Sequence, residues 1–280
     1  MAIKITSDST CDLSAEQLKQ HNIDLFPMSI TMGERCLRDG VDVTPDDIYA
    51  HVDGGGDICT TSALNIADYT DRFSAFSKDY DAVIHINISA EFSSCYQNAV
   101  LAAQEFPNVY VVDSRNLSTG HGHVVLRAAE LAEAGMAPED IVRELSAFTA
   151  KVDASFILSR LDYMKKGGRC SSVVALGANL LHLRPCIEVV GGKMQVGKKY
   201  RGAYDKCVEQ YVHDRLAHPE ALELSRIFIT HSGVPDSAIE AARRAVEACA
   251  SFQDIPITRA GCTVSSHCGP GTLGILFIRK

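Results

Sequence analysis

The feature that most constrains the fold is an apolar run that stops abruptly at a group of hydroxyls. Residues 82–88 read Ala-Val-Ile-His-Ile-Asn-Ile, and Ser93 and Ser94 follow shortly after them. The run predicts a buried strand, and the apolar spacing of residues 97–106 predicts a helix after it. Ser93 and Ser94 therefore fall near a helix N-terminus, where unpaired N–H groups and hydroxyls can hold a carboxylate or a phosphate. A serine that merely caps its helix is an equal alternative on this stretch alone.

Predicted strands and helices alternate along the first part of the chain. Apolar runs predict strands at residues 3–6, 24–31, 82–88, 108–114 and 154–158. Caps and apolar spacing predict helices at residues 14–21, 67–76, 97–106 and 122–134, and two more that open at Pro45 and Pro138. Residues 35–40 are expected to form a loop. This alternation predicts an α/β fold, in which a mostly parallel sheet is flanked by helices and its polar strand ends gather at one edge.

The pattern changes after residue 158. Residues 187–196 are a predicted hairpin around Gly191 and Gly192, which implies antiparallel pairing. The remaining predicted elements are helices at 203–217 and 237–250 and strands at 226–230, 256–259 and 274–278. We therefore expect two domains: an α/β domain over residues 1–158, and an α+β domain on an antiparallel or mixed sheet over residues 159–280.

Composition excludes several classes of protein. The 280 residues carry a net charge of −8 and are 46% hydrophobic, which describes a compact chain that repels nucleic acid. No apolar run approaches the roughly 20 residues of a transmembrane helix, and residues 1–4 lead into a strand without a signal-peptide core. A cytoplasmic location is therefore expected. The ten cysteines include no C-x-x-C pair, so no structural metal site is expected.

Three motifs that could carry chemistry are weak. Residues 269–274 match G-x-G-x-x-G, but a strand follows where the dinucleotide-binding pattern needs a helix. His121 and His123 lie two positions apart, which does not suit a metal site on a helix. Thiol catalysis would have to draw on scattered residues, namely Cys95, Cys170, Cys268, His85, His231 and His267. None of these patterns predicts an active site.

Hydroxyl groups recur at expected strand ends or in expected loops. The clusters are Thr61 with Ser62, Ser93 with Ser94, and Ser265 and Ser266 with His267. They are more numerous than helix caps require, and neutral hydroxyls suit a carboxylate that is held rather than consumed. A separate basic set lies at residues 165–169 and 198–201. Most of that set is best interpreted as a solvated face, and Arg169 and Arg201 are its better candidates for function.

Six short motifs then occur in the order found in one known family. They are Ser-Asp-Ser-Thr at residues 7–10, Thr-Ser at 61–62, Ser-Ser-Cys-Tyr-Gln-Asn-Ala at 93–99, the Val-Asp-Ser to Gly series at 112–122, Lys-Gly-Gly-Arg at 166–169 and His-Cys-Gly-Pro-Gly at 267–271. Each motif is weak alone, but together they span the chain. The sequence thus resembles the DegV family of bacterial fatty-acid-binding proteins, which present a fatty acid to a separate fatty acid kinase.

The resemblance implies a lipid-binding carrier that is not itself an enzyme. Ser93, Thr61 and His267, with the neighbouring Ser62 and Ser94, would hold the carboxylate of a long-chain fatty acid, while its tail enters an apolar tunnel between the domains. Arg169 and Arg201 would serve the encounter with the fatty acid kinase. That kinase would bind ATP, so the chain needs no cofactor, and the acyl phosphate would pass toward phospholipid synthesis. Transient contact with a membrane stays open.

Two departures from the family pattern bear on this expectation. Ala63 and Leu64 replace Gln-Pro, and Ser94 and Cys95 replace Gly-Thr. A serine at position 94 would be strained if that position needed a positive φ. Two other functions also stay open: an enzyme of small carboxylates or phosphorylated metabolites that uses Ser93 and His267, and a ligand-sensing regulatory protein.

Overall fold

The computed structural model of the protein describes residues 1–174, 176 and 183–280. The strands of this part are β1 (Ile3–Asp8), β2 (Asp24–Phe26), β3 (Ser29–Met32), β4 (Arg35–Arg38), β5 (Thr60–Ser62), β6 (Ala82–Asn87), β7 (Val109–Asp113), β8 (Val152–Ile157), β9 (Leu183–Val190), β10 (Lys193–Arg201), β11 (Leu222–Ser232), β12 (Ile257–Arg259) and β13 (Thr272–Arg279). The helices are α1 (Ala15–Gln20), α2 (Pro45–Asp53), α3 (Ile66–Asp79), α4 (Cys95–Ala103), α5 (Ser118–Glu133), α6 (Pro138–Phe148), α7 (Asp162–Gly167), α8 (Ser171–Val174), α9 (Tyr204–Arg215), α10 (Asp236–Cys249) and α11 (Cys262–Cys268).

The N-terminal part is built on a four-stranded parallel sheet in the order β2, β1, β6, β7. The apolar run at residues 82–88 contains β6, and all six residues of this strand are buried. Ile84 and Ile86 pack toward α5 and α6, whereas the ring of His85 stacks on Phe26 on the side of α3. Helices therefore cover both faces of the sheet, which explains why β6 is apolar without alternation. The predicted α/β fold is confirmed.

A small antiparallel sheet in the order β4, β3, β5 corrects two predictions. The single strand predicted over residues 24–31 is two strands in different sheets, because Pro27 interrupts backbone pairing between them. The loop predicted over residues 35–40 contains β4, whose side chains are mostly exposed. An exposed edge strand carries little apolar pattern, so it could not be predicted from the sequence.

The C-terminal part is built on a six-stranded mixed sheet in the order β10, β9, β8, β13, β11, β12. The predicted hairpin over residues 187–196 is confirmed, since β9 and β10 pair antiparallel around Gly191 and Gly192. Strand β8 was expected in the parallel sheet, but it pairs antiparallel with β13 and β9. The second, mixed-sheet domain is thus present. The division of the chain between residues 158 and 159 stays a prediction.

Helix α11 is another element that the sequence did not predict. Ser265, Ser266 and His267 are expected at a strand end or in a loop, but they lie in a short helix that begins after Gly261 and ends before Gly269. This helix contacts α2 and α7, whereas α5 is buried between the two large sheets. Within the described part of the chain, none of the helices is both long and apolar enough to cross a membrane.

Candidate functional site

A cavity lies where the carboxyl ends of the parallel strands meet the six-stranded sheet. Its cavity volume is about 150 Å³, and it opens to solvent at its mouth. Its described lining consists of Met28, Thr61, Ala63, Ile88, Phe92, Ser93, Ser94, Leu117, Phe156, Met164, Arg169, Met194, Thr263, Val264, His267 and Cys268. Among these lining residues, Arg169 is the one with a formal charge at neutral pH. The cavity is therefore mainly apolar, with a polar group of side chains at one end.

Ser93 lies in the loop between β6 and α4 and lines the cavity. Its Oγ accepts a hydrogen bond of 3.2 Å from the backbone N–H of Cys95, at the start of α4. A serine hydroxyl has two acceptor lone pairs and one proton to donate. That bond uses a lone pair and leaves the proton for a ligand, so Ser93 accepts the first N–H of α4 and is also equipped to bind an anion.

Thr61 and His267 form the second polar group of the cavity. The Thr61 Oγ1 lies 2.8 Å from the His267 Nε2, although 206 positions separate the two residues. Burial of the imidazole lowers the pKa of His267 to about 4, and the positive charge of Arg169 contributes in the same direction. The ring is therefore neutral at pH 7. A neutral ring that donates from Nε2 to Thr61 leaves the Thr61 proton for a ligand, as at Ser93.

Gly167 explains one part of the Lys-Gly-Gly-Arg motif. A Cβ at this position would lie 2.2 Å from the Nδ1 of His267, so a side chain here would displace the imidazole. Arg169 follows two residues later, at the exposed mouth. Its Nε donates to the carbonyl of Phe92 at 3.2 Å, and its Nη1 donates to the carbonyl of Gly167 at 2.7 Å. Arg169 thus connects the loop that contains Ser93 to the segment that packs against His267.

Two buried acidic side chains hold the start of α11, the helix that carries His267. Asp39 accepts the backbone N–H groups of Cys262 and Thr263 at 2.8 and 3.0 Å, and also the Thr263 hydroxyl at 2.6 Å. Asp12 accepts the N–H of Gly261 at 2.8 Å and the hydroxyl of Ser118 at 2.5 Å. These bonds fix α11 against the N-terminal part of the molecule. They therefore position the Thr61–His267 pair from a distance.

Asp12 is also unusual in its proton affinity. Burial raises the pKa of Asp12 to about 8, and the negative charges of Asp39 and Asp8 add to that effect. The hydrogen bonds from Ser118 and Gly261 act in the opposite direction but are outweighed. Near neutral pH the carboxyl therefore retains its proton in much of the population.

The structure brings together four of the five residues expected to bind the carboxylate. Thr61, Ser93, Ser94 and His267 line the cavity, whereas Ser62 is exposed and absent from the lining. Alternation along β5 explains this, because successive side chains of a strand point to opposite faces. Arg169 lies at the mouth. Arg201 is exposed at the end of β10 and does not line the cavity.

The two departures from the family pattern do not remove the hydroxyl donors. Ser94 has φ of −76°, so position 94 needs no positive φ and accommodates serine without strain. Ala63 lines the cavity with a methyl group, while Leu64 is buried in the adjacent core. The substitutions thus change the wall of the cavity and leave Thr61 and Ser93 in place.

The thiols considered for catalysis do not form a nucleophilic site. Burial raises the pKa of Cys95 and, further, that of Cys268, which disfavours the thiolate. The Sγ of Cys268 donates to the carbonyl of Val264 at 2.8 Å. His85 is buried against aromatic rings, and its pKa falls to about 3. His267, in turn, is bonded to Thr61 rather than to a thiol.

Most of the cavity wall was not identified from the sequence. The missed residues are Met28, Ile88, Phe92, Leu117, Phe156, Met164, Met194, Thr263 and Val264. They come from distant elements, and each looks like an ordinary core residue in its own segment. The three methionines supply flexible, polarizable side chains of the kind that adapt to an irregular ligand.

Comparison with known proteins gives a consistent result. A family model described as an uncharacterised protein of the DegV family matches residues 2–280. A DegV domain-containing protein of Deinococcus radiodurans is 31% identical over 276 residues, which cover 98% of each chain. A DegV family protein from Thermus thermophilus, whose structure is described as showing fatty acid binding, has 30% identity and a TM-score of 0.93 over 100% of both chains.

A second solved structure agrees with the first. It is DegV from Bacillus subtilis, described as a fatty acid binding protein, which is 26% identical and has a TM-score of 0.85 over 100% of both chains. The similarity therefore covers both sheets and the cavity between them. Since the family model spans nearly the whole sequence, this protein belongs to the DegV family.

Proposed function

We propose that this protein binds a long-chain fatty acid in the cavity and presents its carboxylate to a separate fatty acid kinase. The observation that carries the proposal is the pair of hydroxyls at one end of an apolar cavity. Ser93 has an acceptor site already used by the Cys95 N–H, and Thr61 has one used by His267 when the ring carries its proton on Nε2, so each hydroxyl then retains a proton for the same anion. Hydrogen bonds to a charged group are stronger than those between neutral groups.

The tail of the ligand would supply most of the affinity. Burial of each methylene contributes roughly 0.8 kcal/mol, so a long acyl chain gains far more from the apolar wall than the hydroxyls provide. The hydroxyls would then fix the direction in which the chain enters. Proteins of similar structure support this assignment, since those from Thermus thermophilus and Bacillus subtilis are described as fatty acid binding and one from Eubacterium ventriosum as binding stearic acid.

The kinase step is the further part of the proposal. The carboxylate would lie at the mouth beside Arg169, where the guanidinium can stabilise the charge of an incoming phosphoryl group. Arg201, exposed on β10, would contact the kinase. The kinase would supply ATP, the product would be an acyl phosphate for phospholipid synthesis, and the carrier would act in the cytoplasm. The bound fatty acid would be the ligand, with no other cofactor.

Lipid extraction and native mass spectrometry of the purified protein test the binding proposal. We expect one fatty acid per chain, which exchanges with added oleate. A protein that neither carries nor takes up any fatty acid would contradict the proposal. Turnover of a small carboxylate or a phosphorylated metabolite by this chain alone, without a kinase, would instead favour the enzymatic alternative.

A further inference from the structure

The two hydroxyls of the proposed carboxylate site lie on segments that belong to different sheets. Thr61 is on β5, which pairs with β3, whereas Ser93 follows β6, which pairs with β1 and β7. The two hydroxyls can bind one anion only if both protons reach it at O–H···O distances of about 2.5–3.0 Å. A contact outside these sheets must therefore hold the two segments at a fixed separation.

Asn98 provides such a contact. It lies in the first turn of α4, where its backbone N–H donates to the carbonyl of Ser94 at 2.9 Å. Its side-chain Nδ2 donates to the carbonyl of Leu64 at 2.7 Å. Leu64 follows Thr61 by three positions, and Asn98 follows Ser93 by five. One short hydrogen bond thus connects the helix that follows Ser93 to the segment that follows Thr61.

Both ends of that hydrogen bond are firmly held. Leu64 is buried in the core and precedes Asn65, the residue that caps the start of α3. At the other end, Ser93 accepts the backbone N–H of Cys95 at the start of α4. A shift of α4 relative to the Leu64 segment would therefore move Ser93 relative to Thr61.

The same contact brings together two departures from the family pattern, Leu64 in place of proline and Cys95 in place of threonine. Burial raises the pKa of Cys95, and a hydrogen bond from the backbone of Leu64 acts in the opposite direction. A bond that lowers the pKa of a thiol is donated to its sulfur, and the backbone donor is the N–H, which a proline lacks. Position 64 thus offers both of its backbone polar groups to α4, the N–H to Cys95 and the carbonyl to Asn98.

We propose that Asn98 is a positioning residue, which holds Ser93 and Thr61 at the separation at which both hydroxyls donate to one carboxylate. The inference rests on the proposed fatty acid binding and adds a residue that acts on the head group from outside the described lining of the cavity. Binding groups must be held within about 0.5 Å of their productive positions, so a small shift of α4 weakens one of the two hydrogen bonds. The apolar wall tolerates such a shift, because apolar contacts are not directional.

The test compares two ligands that share a tail and differ in the head group, tetradecanoic acid and 1-tetradecanol, by isothermal titration. The ratio of their affinities reports the head-group contacts, because the contribution of the tail cancels. In Asn98→Ala we expect the acid to bind about fivefold more weakly or worse, and the alcohol to stay within about twofold of the wild type. A merely structural loss would weaken both ligands alike and leave the ratio unchanged.

Asn108 offers a matched control at the other end of α3. Its Nδ2 donates to the backbone carbonyls of Ser77 and Tyr80, both at 3.0 Å, so Asn108→Ala removes bonds of the same kind. It should lower the melting temperature as Asn98→Ala does, without changing the acid-to-alcohol ratio. A second check uses Ser93→Ala as the background. There Asn98→Ala should change the ratio by less than about twofold, because one of the two hydroxyls that it positions is gone.

The outcomes separate the two proposals. A wild type that binds neither ligand overturns fatty acid binding and the role of Asn98 with it. A wild type that prefers the acid, together with an unchanged ratio in Asn98→Ala, overturns the role of Asn98 and leaves fatty acid binding intact. An equal fall of the ratio in Asn108→Ala also overturns that role, since the effect would not be specific to the junction at Leu64.

If Asn98→Ala does not fold, Asn98→Leu makes the same test with a side chain of nearly the same shape that has no donor. A ratio that falls by about threefold or more in Asn98→Leu supports the proposal, and an unchanged ratio overturns it.

Discussion

The two ends of the site differ in how they are built. The mouth consists of a few polar groups, Ser93, Thr61 and His267, whose positions are fixed by hydrogen bonds to neighbouring segments. The apolar end consists mainly of side chains from the six-stranded sheet, from the segment after β6 and from α7 and α11, which are positioned by packing. A few hydrogen bonds can orient a ligand, whereas a large apolar surface holds it. The comparison therefore assigns orientation to the mouth and affinity to the apolar walls.

Helix α11 belongs to both ends, so loosening it should have the largest effect. We expect Asp39→Asn to lower the free energy of unfolding by about 3 kcal/mol and to weaken fatty acid binding. The amide NH₂ would replace one of the two oxygens that accept the N–H groups of Cys262 and Thr263, and would therefore face a donor without accepting from it. Denaturant unfolding and a binding titration measure the two effects. Asp71→Asn, on an exposed position of α3, is the control and should change stability by less than about 0.5 kcal/mol.

At the mouth, Ser93→Ala should weaken fatty acid binding by about 10- to 100-fold, because a hydrogen bond to a charged group is lost. Isothermal titration with oleate measures the change, and the melting temperature should stay close to that of the wild type. Ser62→Ala is the matched control, since Ser62 does not line the cavity. Equal affinities in wild type and Ser93→Ala would remove Ser93 from the site.

Stability should also depend on pH through Asp12. Its pKa is about 8 in the folded protein and near 4 when unfolded, so the folded state binds the extra proton between these values. Asp12 therefore makes the free energy of unfolding fall as pH rises from about 4 to about 8, by at most about 1.4 kcal/mol per pH unit. Asp12→Asn should remove this contribution, because its amide can accept from Gly261 and donate to Ser118.

The measurement is the difference in unfolding free energy between wild type and Asp12→Asn across that pH range. Using the difference cancels the contributions of other titrating groups. Parallel pH profiles in the two proteins would show that Asp12 is ionised throughout and would contradict its assignment.

The smallest effect on binding is expected at the charged rim. Arg169→Gln should weaken oleate binding two- to fivefold at low salt and make the affinity less salt-dependent, because an exposed charge is screened. Acyl phosphate formation with the cognate kinase should fall further. Arg201→Gln should leave oleate affinity unchanged and reduce only the kinase reaction. A loss of oleate affinity in Arg201→Gln would contradict the assignment of Arg201 to the kinase reaction alone.

The comparison between the two ends also explains what the sequence could predict. The parallel sheet and the hairpin follow from local patterns, because β6 is buried on both faces and Gly191 and Gly192 form a turn. Ser93 and Thr61 could be found since their motifs are contiguous. The apolar wall could not, because residues such as Phe156 and Val264 have no property in their own segments that separates them from the core.

The errors have the same origin. Helix α11 was missed because its start depends on Asp12 and Asp39, which lie more than 200 positions away in the chain. Strand β8 was placed in the parallel sheet because an apolar run does not reveal which neighbours it will have. Ser62 was grouped with Thr61 because the predicted cluster ignored the alternation of β5. In each case a tertiary contact decided what the local sequence left open.

A crystal structure of the protein soaked with hexadecanoic acid tests the central claim most directly. We predict the carboxylate oxygens within about 3.2 Å of the Ser93 Oγ and the Thr61 Oγ1, the usual range of a hydrogen bond, with the chain in the apolar cavity. A carboxylate at the opposite end of the cavity, or a cavity that stays empty at saturating ligand, would contradict the claim.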